Sequence, residues 1–398
     1  MKKFDYIIIG GGMTGSSAAM EIRKNDPDGS IAMFSKEKYG PYNRPPLTKG
    51  LWDGKKVDDI LRNIDKYQVE LFLEDPIIKI SRESKTLTDV NDTTYQYGKL
   101  LLATGGHPIQ LPDTPEGVIT YRTRADYERL RSLTQNKSKF CVIGGGFIGS
   151  EIAAALNKQG KQVTMIFPEV GISGLRFPDD LAEFLNDYYQ EKGVRVLNGY
   201  LVNAIQKDGG TFLVQYKMQD NEESTEETFD GVIVGIGIKP NVQLAEDAGL
   251  STGDGIIVNE FLQTDDPDIF AAGDVANFLN IPMDERMRVE HEDNANKMGS
   301  HAGKNMSGEM SKYDHFPFFY SDLFDLGYEA VGVMSKDYEI LEDWVKPFKK
   351  GTIFYLKENK IRGLIFWNLW GKVDQGCEII KQGKEYPKSE LLGMFLDD

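Results

Sequence analysis

Six glycines and five charged side chains carry most of the chemical information in this chain. Gly10, Gly12 and Gly15 spell G-x-G-x-x-G, and Gly144, Gly146 and Gly149 spell it again. Each motif follows a short apolar run and precedes a helix-forming stretch. In that setting the pattern is a dinucleotide fingerprint. A diphosphate rests on free N–H groups at the positive end of a helix, and side chains there would block its approach. Between the motifs lies Pro41-Tyr42-Asn43-Arg44-Pro45-Pro46-Leu47-Thr48-Lys49. Pro45 biases Arg44 toward an extended backbone, and each proline fixes its own φ. The loop is built to place two cations. Glu151 directly follows the second motif, and Glu169 stands about 25 residues beyond Gly144. A carboxylate at that distance suits a ribose 2′-hydroxyl and repels a 2′-phosphate. No arginine pair accompanies it, so NADH is preferred to NADPH. Asp274, in "AAGDVANF", ends a short apolar segment. It can accept a hydrogen bond from a ribityl hydroxyl or cap a following helix.

The elements that position these residues repeat one plan. Strand 4–9, a glycine turn, a helix from Ser16 and strand 30–35 are followed by short alternating strands ending in "YGKLLLATGG" (97–106). Strand 139–143, a second turn, a helix from Ser150 and strand 162–167 are followed by strands ending in "FDGVIVGIGIKPN" (229–241). Two such units predict two dinucleotides. "RVEHEDNA" (288–295) opens a helix running to Met306, and "GTIFYLK" and "IRGLIFW" form a hairpin across Glu358–Lys360.

Composition narrows the function classes. The 398 residues hold 46 Lys and Arg against 62 Asp and Glu, a formal net charge of −16. That argues against broad nucleic-acid or anionic-membrane binding. No apolar run approaches the roughly 20 residues that span a bilayer. Apolar strand residues begin by Phe4, leaving no visible leader, and a cytoplasmic location is expected. Cys141 and Cys377 form no redox or zinc motif, and the four histidines show no ligand spacing, so no metal is expected.

Together these pieces resemble the flavoprotein pyridine-nucleotide reductases with two dinucleotide domains. "RPPLTK" resembles the branch holding oxygenase-type ferredoxin reductases, rubredoxin reductases and apoptosis-inducing factor. "GGGFIGSE", "FPEVG", "MRVEHEDNA", "SDLFDLGYEAVG" and "LIFWN" are similar to apoptosis-inducing factor. The resemblance implies an α/β fold with two Rossmann-like domains and a smaller C-terminal α+β domain. FAD would bind residues 1–113 and 241–314, NAD would bind 114–240, and 315–398 would form the last domain. Gly10, Gly12, Thr14 and Gly15 would bind the FAD diphosphate, with Ala103, Thr104 and Gly105 passing close. Asp274 would hold the ribityl chain. Arg44 would sit on the diphosphate or adenine side, and Lys49 would reach the isoalloxazine near N5. Glu151 would pair with Lys49. The usual ribose-binding acid is displaced: that place falls on Lys36, and Glu37 is expected to take the role. In the NAD domain, Gly144, Gly146 and Gly149 would hold the diphosphate. Phe147 and Ile148 would lie under the nicotinamide, with Gly237 on its other side. Glu290 and His291 would face the nicotinamide, Tyr320 would stack where the family usually has tryptophan, and Glu329 would be a further cofactor contact.

The activity implied is hydride transfer from NADH to FAD, then electron transfer to an external acceptor: a quinone, a small redox protein or oxygen. The resemblance to apoptosis-inducing factor implies a long-lived reduced FAD–NAD charge-transfer complex. The alternatives are an NADH-dependent ferredoxin or rubredoxin reductase, disfavoured by the acidic charge, and an NADH-responsive redox binding protein with little turnover. A homodimer is left open.

Overall fold

A computed structural model describes residues 1–396, so the last two residues of the expected C-terminal domain lie outside the described residues. The chain divides into two compact units. The first comprises Met1–Arg44, Lys56–His107 and Lys239–Phe319; the second comprises Pro45–Lys55, Pro108–Ile238 and the described residues from Tyr320 onward.

In the first unit the apolar run at the start of the chain becomes the strand Lys2–Ile9. It lies between Ile31–Phe34 and Thr94–Leu102, parallel to both, with Ile7 opposite Ala32 and Leu100. Val69–Phe72 extends the sheet on one side, and Ile269–Ala271 pairs parallel with Thr94–Leu102. Parallel strands are covered on both faces, which is why these segments are nearly continuously apolar. Ile7, Ile8, Met33, Leu100, Leu101 and Phe270 are fully buried. The helices Met13–Asn25 and Glu292–Met306 pack closely through glycine. A Cβ on Gly299 would lie 2.3 Å from the Thr14 carbonyl oxygen, and one on Gly303 would lie 2.5 Å from that of Ala18.

The second helix starts later than "RVEHEDNA" suggests. It begins at Glu292, with His291 in extended backbone as its cap. The segment before it is pinned through Arg288, which bonds Asp254 at 2.8 Å, Glu290 at 2.5 Å and the Asp274 carbonyl at 3.2 Å.

The second unit holds a five-stranded sheet in the order Val194–Asn198, Gln162–Phe167, Lys139–Ile143, Gly231–Val234 and Ile119–Thr120. All neighbours in it are parallel. The helix Phe147–Lys158 follows the second glycine turn. Three antiparallel strands, Tyr200–Asp208, Thr211–Met218 and Ser224–Phe229, form a separate sheet. The last part is a five-stranded antiparallel sheet ordered Phe318–Leu323, Leu326–Gly332, Lys360–Trp367, Lys350–Lys357 and Glu339–Lys346. The expected hairpin is present: Glu358 and Asn359 both take positive φ, 54° and 58°, as the two central residues of a tight turn. The fold class is the one expected, α/β with parallel sheets and a smaller α+β part.

Candidate functional site

The two glycine turns divide their labour in the same way. In the first unit Gly10 has φ +126°, and a Cβ there would lie 2.1 Å from the Ala103 carbonyl oxygen. A Cβ on Gly15 would lie 2.0 Å from the carbonyl oxygen of Gly10, whereas one on Gly12 meets nothing within 4 Å. The outer glycines therefore serve backbone packing, and the middle one faces open space. Gly12 caps the helix Met13–Asn25 without a side-chain hydrogen bond, and no acid lies in its first turn. Its N–H groups and the positive helix end stay available for an anion.

Other expected residues gather at this end of the sheet. Ala103 donates its N–H to Ile9 at 2.8 Å. The Thr104 and Asn241 side chains bond each other's backbone carbonyls at 2.9 and 2.7 Å, fixing the turn into Gly105. Asp274 sits in the single 3-10 turn Gly273–Val275, and no longer helix follows it. Gly273 has φ +77°, and a Cβ on it would lie 2.2 Å from Thr14 Oγ1. Thr14 and the Asp274 turn are thus neighbours. Glu37 is already engaged, accepting from Tyr42 Oη at 2.7 Å and Arg44 Nη2 at 2.9 Å. Burial opposes the charge of Arg44, but Tyr42, Glu37 and Asp274 outweigh it and hold the guanidinium above its ordinary range.

Glu290 is paired with Arg288, and His291 stacks on Phe319 at 4.0 Å between ring centres and 14° between planes. The first turn of Glu292–Met306 contains Glu292 and Asp293, and Asp293 Oδ2 lies 2.5 Å from His315 Nε2. One residue escaped sequence reasoning. Arg62 donates to Asn296 Oδ1 at 2.7 Å, Asn43 Oδ1 at 3.0 Å and Ser17 Oγ at 2.8 Å. Its buried Nε has no hydrogen-bond partner among the described residues.

In the second unit a Cβ on Gly144 would lie 2.4 Å from the Gly235 carbonyl oxygen, and one on Gly149 would lie 2.1 Å from that of Gly144. A Cβ on Gly146 meets nothing within 4 Å. The helix Phe147–Lys158 also lacks a side-chain cap and a first-turn acid, so Glu151 is not a helix-end charge. Ile148 is 40% exposed, and Phe147 lies under the Arg176 guanidinium at 5.8 Å. Gly237 has φ +105° and accepts from the Ile109 N–H at 2.9 Å. The Glu169 side chain is half-buried and carries no hydrogen bond or ion pair among the described residues, while its backbone accepts from Gly199. Beside it the Ser173 N–H bonds the Gly145 carbonyl at 2.8 Å, folding this segment over the turn. Glu329 Oε2 accepts from the Gly371 N–H at 2.9 Å.

The two cations of the proline loop belong to different units: Arg44 closes a segment of the first, and Lys49 lies in the second. The loop starts as the 3-10 turn Pro45–Leu47. Trp52 Nε1 and Tyr121 Oη both donate to the Leu47 carbonyl, at 2.8 and 2.5 Å. Trp52 meets Tyr127 edge-on and carries Arg131 over its ring. So anchored, the loop puts Lys49 Nζ 3.2 Å from Glu151 Oε1 and 3.3 Å from Asp322 Oδ2. Its charge also lies 4.4 Å from the centre of the Tyr320 ring. Glu151 is 7% exposed. Its carboxylate accepts Thr48 Oγ1 and Ser321 Oγ, both at 2.6 Å. Burial disfavours the ammonium, but Glu151, Asp322 and Tyr320 more than offset it and raise the Lys49 pKa.

Residues 4–299 match the family model described as pyridine nucleotide-disulphide oxidoreductase. The chain belongs to this family. Residues 341–382 also match the C-terminal model of mitochondrion-associated apoptosis-inducing factor. The chain is 34% identical to apoptosis-inducing factor 1, mitochondrial, of Dictyostelium discoideum, covering 96% of this chain and 79% of that protein. It is 32% identical to the ferredoxin reductase subunit of the 5,5'-dehydrodivanillate O-demethylase of a Sphingobium strain, covering 98% and 96%. The solved structure of a ferredoxin reductase from Rhodopseudomonas palustris superposes with a TM-score of 0.89 at 29% identity, covering 99% of this chain and 98% of that one. This pyridine nucleotide-disulphide oxidoreductase is therefore an FAD-dependent NAD(P)H oxidoreductase of the apoptosis-inducing factor and ferredoxin reductase type. The glycine cradles fit its two dinucleotides: each leaves an uncapped helix end and an open middle glycine. Cys141 and Cys377 form no disulfide among the described residues, and burial pushes the Cys141 pKa up. Among the described residues, no group of three His, Cys, Asp or Glu could hold a metal, and no helix is long and apolar enough to cross a membrane.

Proposed function

We propose that the first unit holds FAD, that the second holds NADH, and that the enzyme oxidises NADH and passes its electrons to an external acceptor. The observation that carries this reading is the buried Lys49–Glu151 pair beside the second of two open glycine cradles. Bound FAD supplies the ring that accepts hydride and later releases electrons. The chain supplies position and charge. Gly12 and Gly146 admit diphosphates to helix ends. The Lys49 ammonium is the cation we assign to the negative charge that develops during hydride transfer, and Glu151 pairs with it and helps keep it charged. Thr48 and Ser321 fix the Glu151 carboxylate by both oxygens.

The first reading of the acceptor half-reaction follows apoptosis-inducing factor, supported by the match over residues 341–382. The second is a reductase for a small redox protein, supported by likeness to the Sphingobium subunit and by a TM-score of 0.88 to putidaredoxin reductase bound to putidaredoxin. Anaerobic NADH titration followed by air separates them. A long-wavelength absorbance that survives oxygen supports the first. Rapid reoxidation without it, accelerated by an added ferredoxin or rubredoxin, supports the second. A protein that acquires no flavin from added FAD overturns both.

Glu169 makes a separate prediction. Its free carboxylate should disfavour a 2′-phosphate. Glu169→Gln is expected to shrink the NADH over NADPH preference in kcat/KM by about fivefold, since one removed charge contact is worth about a kcal/mol near the surface. An unchanged ratio would remove Glu169 from the nucleotide site.

A further inference from the structure

We infer that Asp322 is a positioning residue for the amine of Lys49, acting with Glu151 as the second jaw of a carboxylate clamp. Glu151 alone is poorly placed to direct the lysine. Oε2 is taken by Thr48, and Oε1 is shared between Ser321 and Lys49. Much of its charge is spent on two short neutral hydrogen bonds. Asp322, by contrast, has Lys49 as its sole hydrogen-bond partner among the described residues. An ammonium offers three donors, and the two carboxylates engage two of them. The strand Phe318–Leu323 explains the arrangement. Side chains two apart on a strand share a face, so Tyr320 and Asp322 both reach Lys49. Ser321, between them, is 1% exposed and reaches Glu151 instead. One strand thus contributes three consecutive side chains to one cation and its counter-ion.

The charged and titratable groups facing Lys49 are Glu151, Asp322 and Tyr320. Both carboxylates favour the ammonium. Removing the Asp322 charge therefore makes Lys49 easier to deprotonate. The kinetic consequence rests on the proposed role of Lys49, but the placement does not.

The test is competitive amine labelling of the full chain with acetic anhydride across pH, with Lys49 read by peptide mass spectrometry. Asp322→Asn is expected to lower the Lys49 labelling midpoint by about one pH unit. Asp322→Glu should restore most of it, and Lys161, which has no carboxylate partner among the described residues, should not move. The side chain of Asp322 is 55% exposed, so the variant should fold, and a thermal melt checks this. In parallel, the alkaline limb of NADH-driven flavin bleaching should move to lower pH with the labelling midpoint. An identical Lys49 midpoint in wild type and Asp322→Asn overturns the inference. A shifted midpoint with an unmoved bleaching profile supports the clamp and overturns only the role of Lys49 in hydride transfer.

Discussion

The Gly12→Val variant is expected to purify folded and without flavin colour, whereas Gly146→Val should keep its flavin but no longer bleach with NADH. Both positions have ordinary extended backbone, with φ −93° and −77°, so a side chain brings no strain. Both face open space, so a side chain brings no internal clash. The fold pays only for a poorer helix cap, about 1 kcal/mol. The cofactor loses more. A branched side chain at the middle glycine holds a diphosphate off the helix N–H groups. Losing one or two hydrogen bonds to a charged group costs about 3 kcal/mol, or roughly a hundredfold in affinity. The outer glycines should behave oppositely. Ala at Gly10, Gly15 or Gly149 meets a backbone oxygen at 2.0 to 2.1 Å, so these variants should lose stability along with cofactor. Flavin-to-protein absorbance ratios and thermal melts check the contrast. Stoichiometric flavin in Gly12→Val would sink the assignment of the first cradle.

That contrast also shows what was legible before the structure. The glycine motifs, and the strands Lys139–Ile143 and Gln162–Phe167, follow from steric and burial rules that act over a few residues. The Lys49–Glu151 pair does not; no spacing rule joins a proline loop to a helix a hundred residues on, and resemblance alone suggested it. Arg62 was illegible for the same reason, because Ser17, Asn43 and Asn296 come from three separate segments. The late start of the helix Glu292–Met306 depends on Arg288 reaching Asp254, 34 residues away. Asp322 is different. It stood two residues from Tyr320 in a strand-like segment, and strand alternation was the signal that could have paired the two.

Lys49→Met is expected to slow NADH-driven flavin bleaching by about 10²- to 10³-fold while flavin stays bound, the usual cost of removing one preorganised charge from a reacting centre. The same change strands Glu151. Its carboxylate, 7% exposed, keeps the hydroxyls of Thr48 and Ser321 but loses its ion-pair partner. Breaking a buried pair from one side typically costs about 3 kcal/mol. Stability and rate should therefore fall together in Lys49→Met, and a single variant cannot separate them. The double variant Lys49→Met with Glu151→Gln does. A neutral amide no longer needs the ammonium, so the melt should recover much of its loss, and the two stability effects should be strongly non-additive. The bleaching rate should not recover, because the cation is still missing. If the double variant regained both, the pair would be a structural device of the second unit. Wild-type bleaching in Lys49→Met, with only the melt lowered, would lead to the same conclusion.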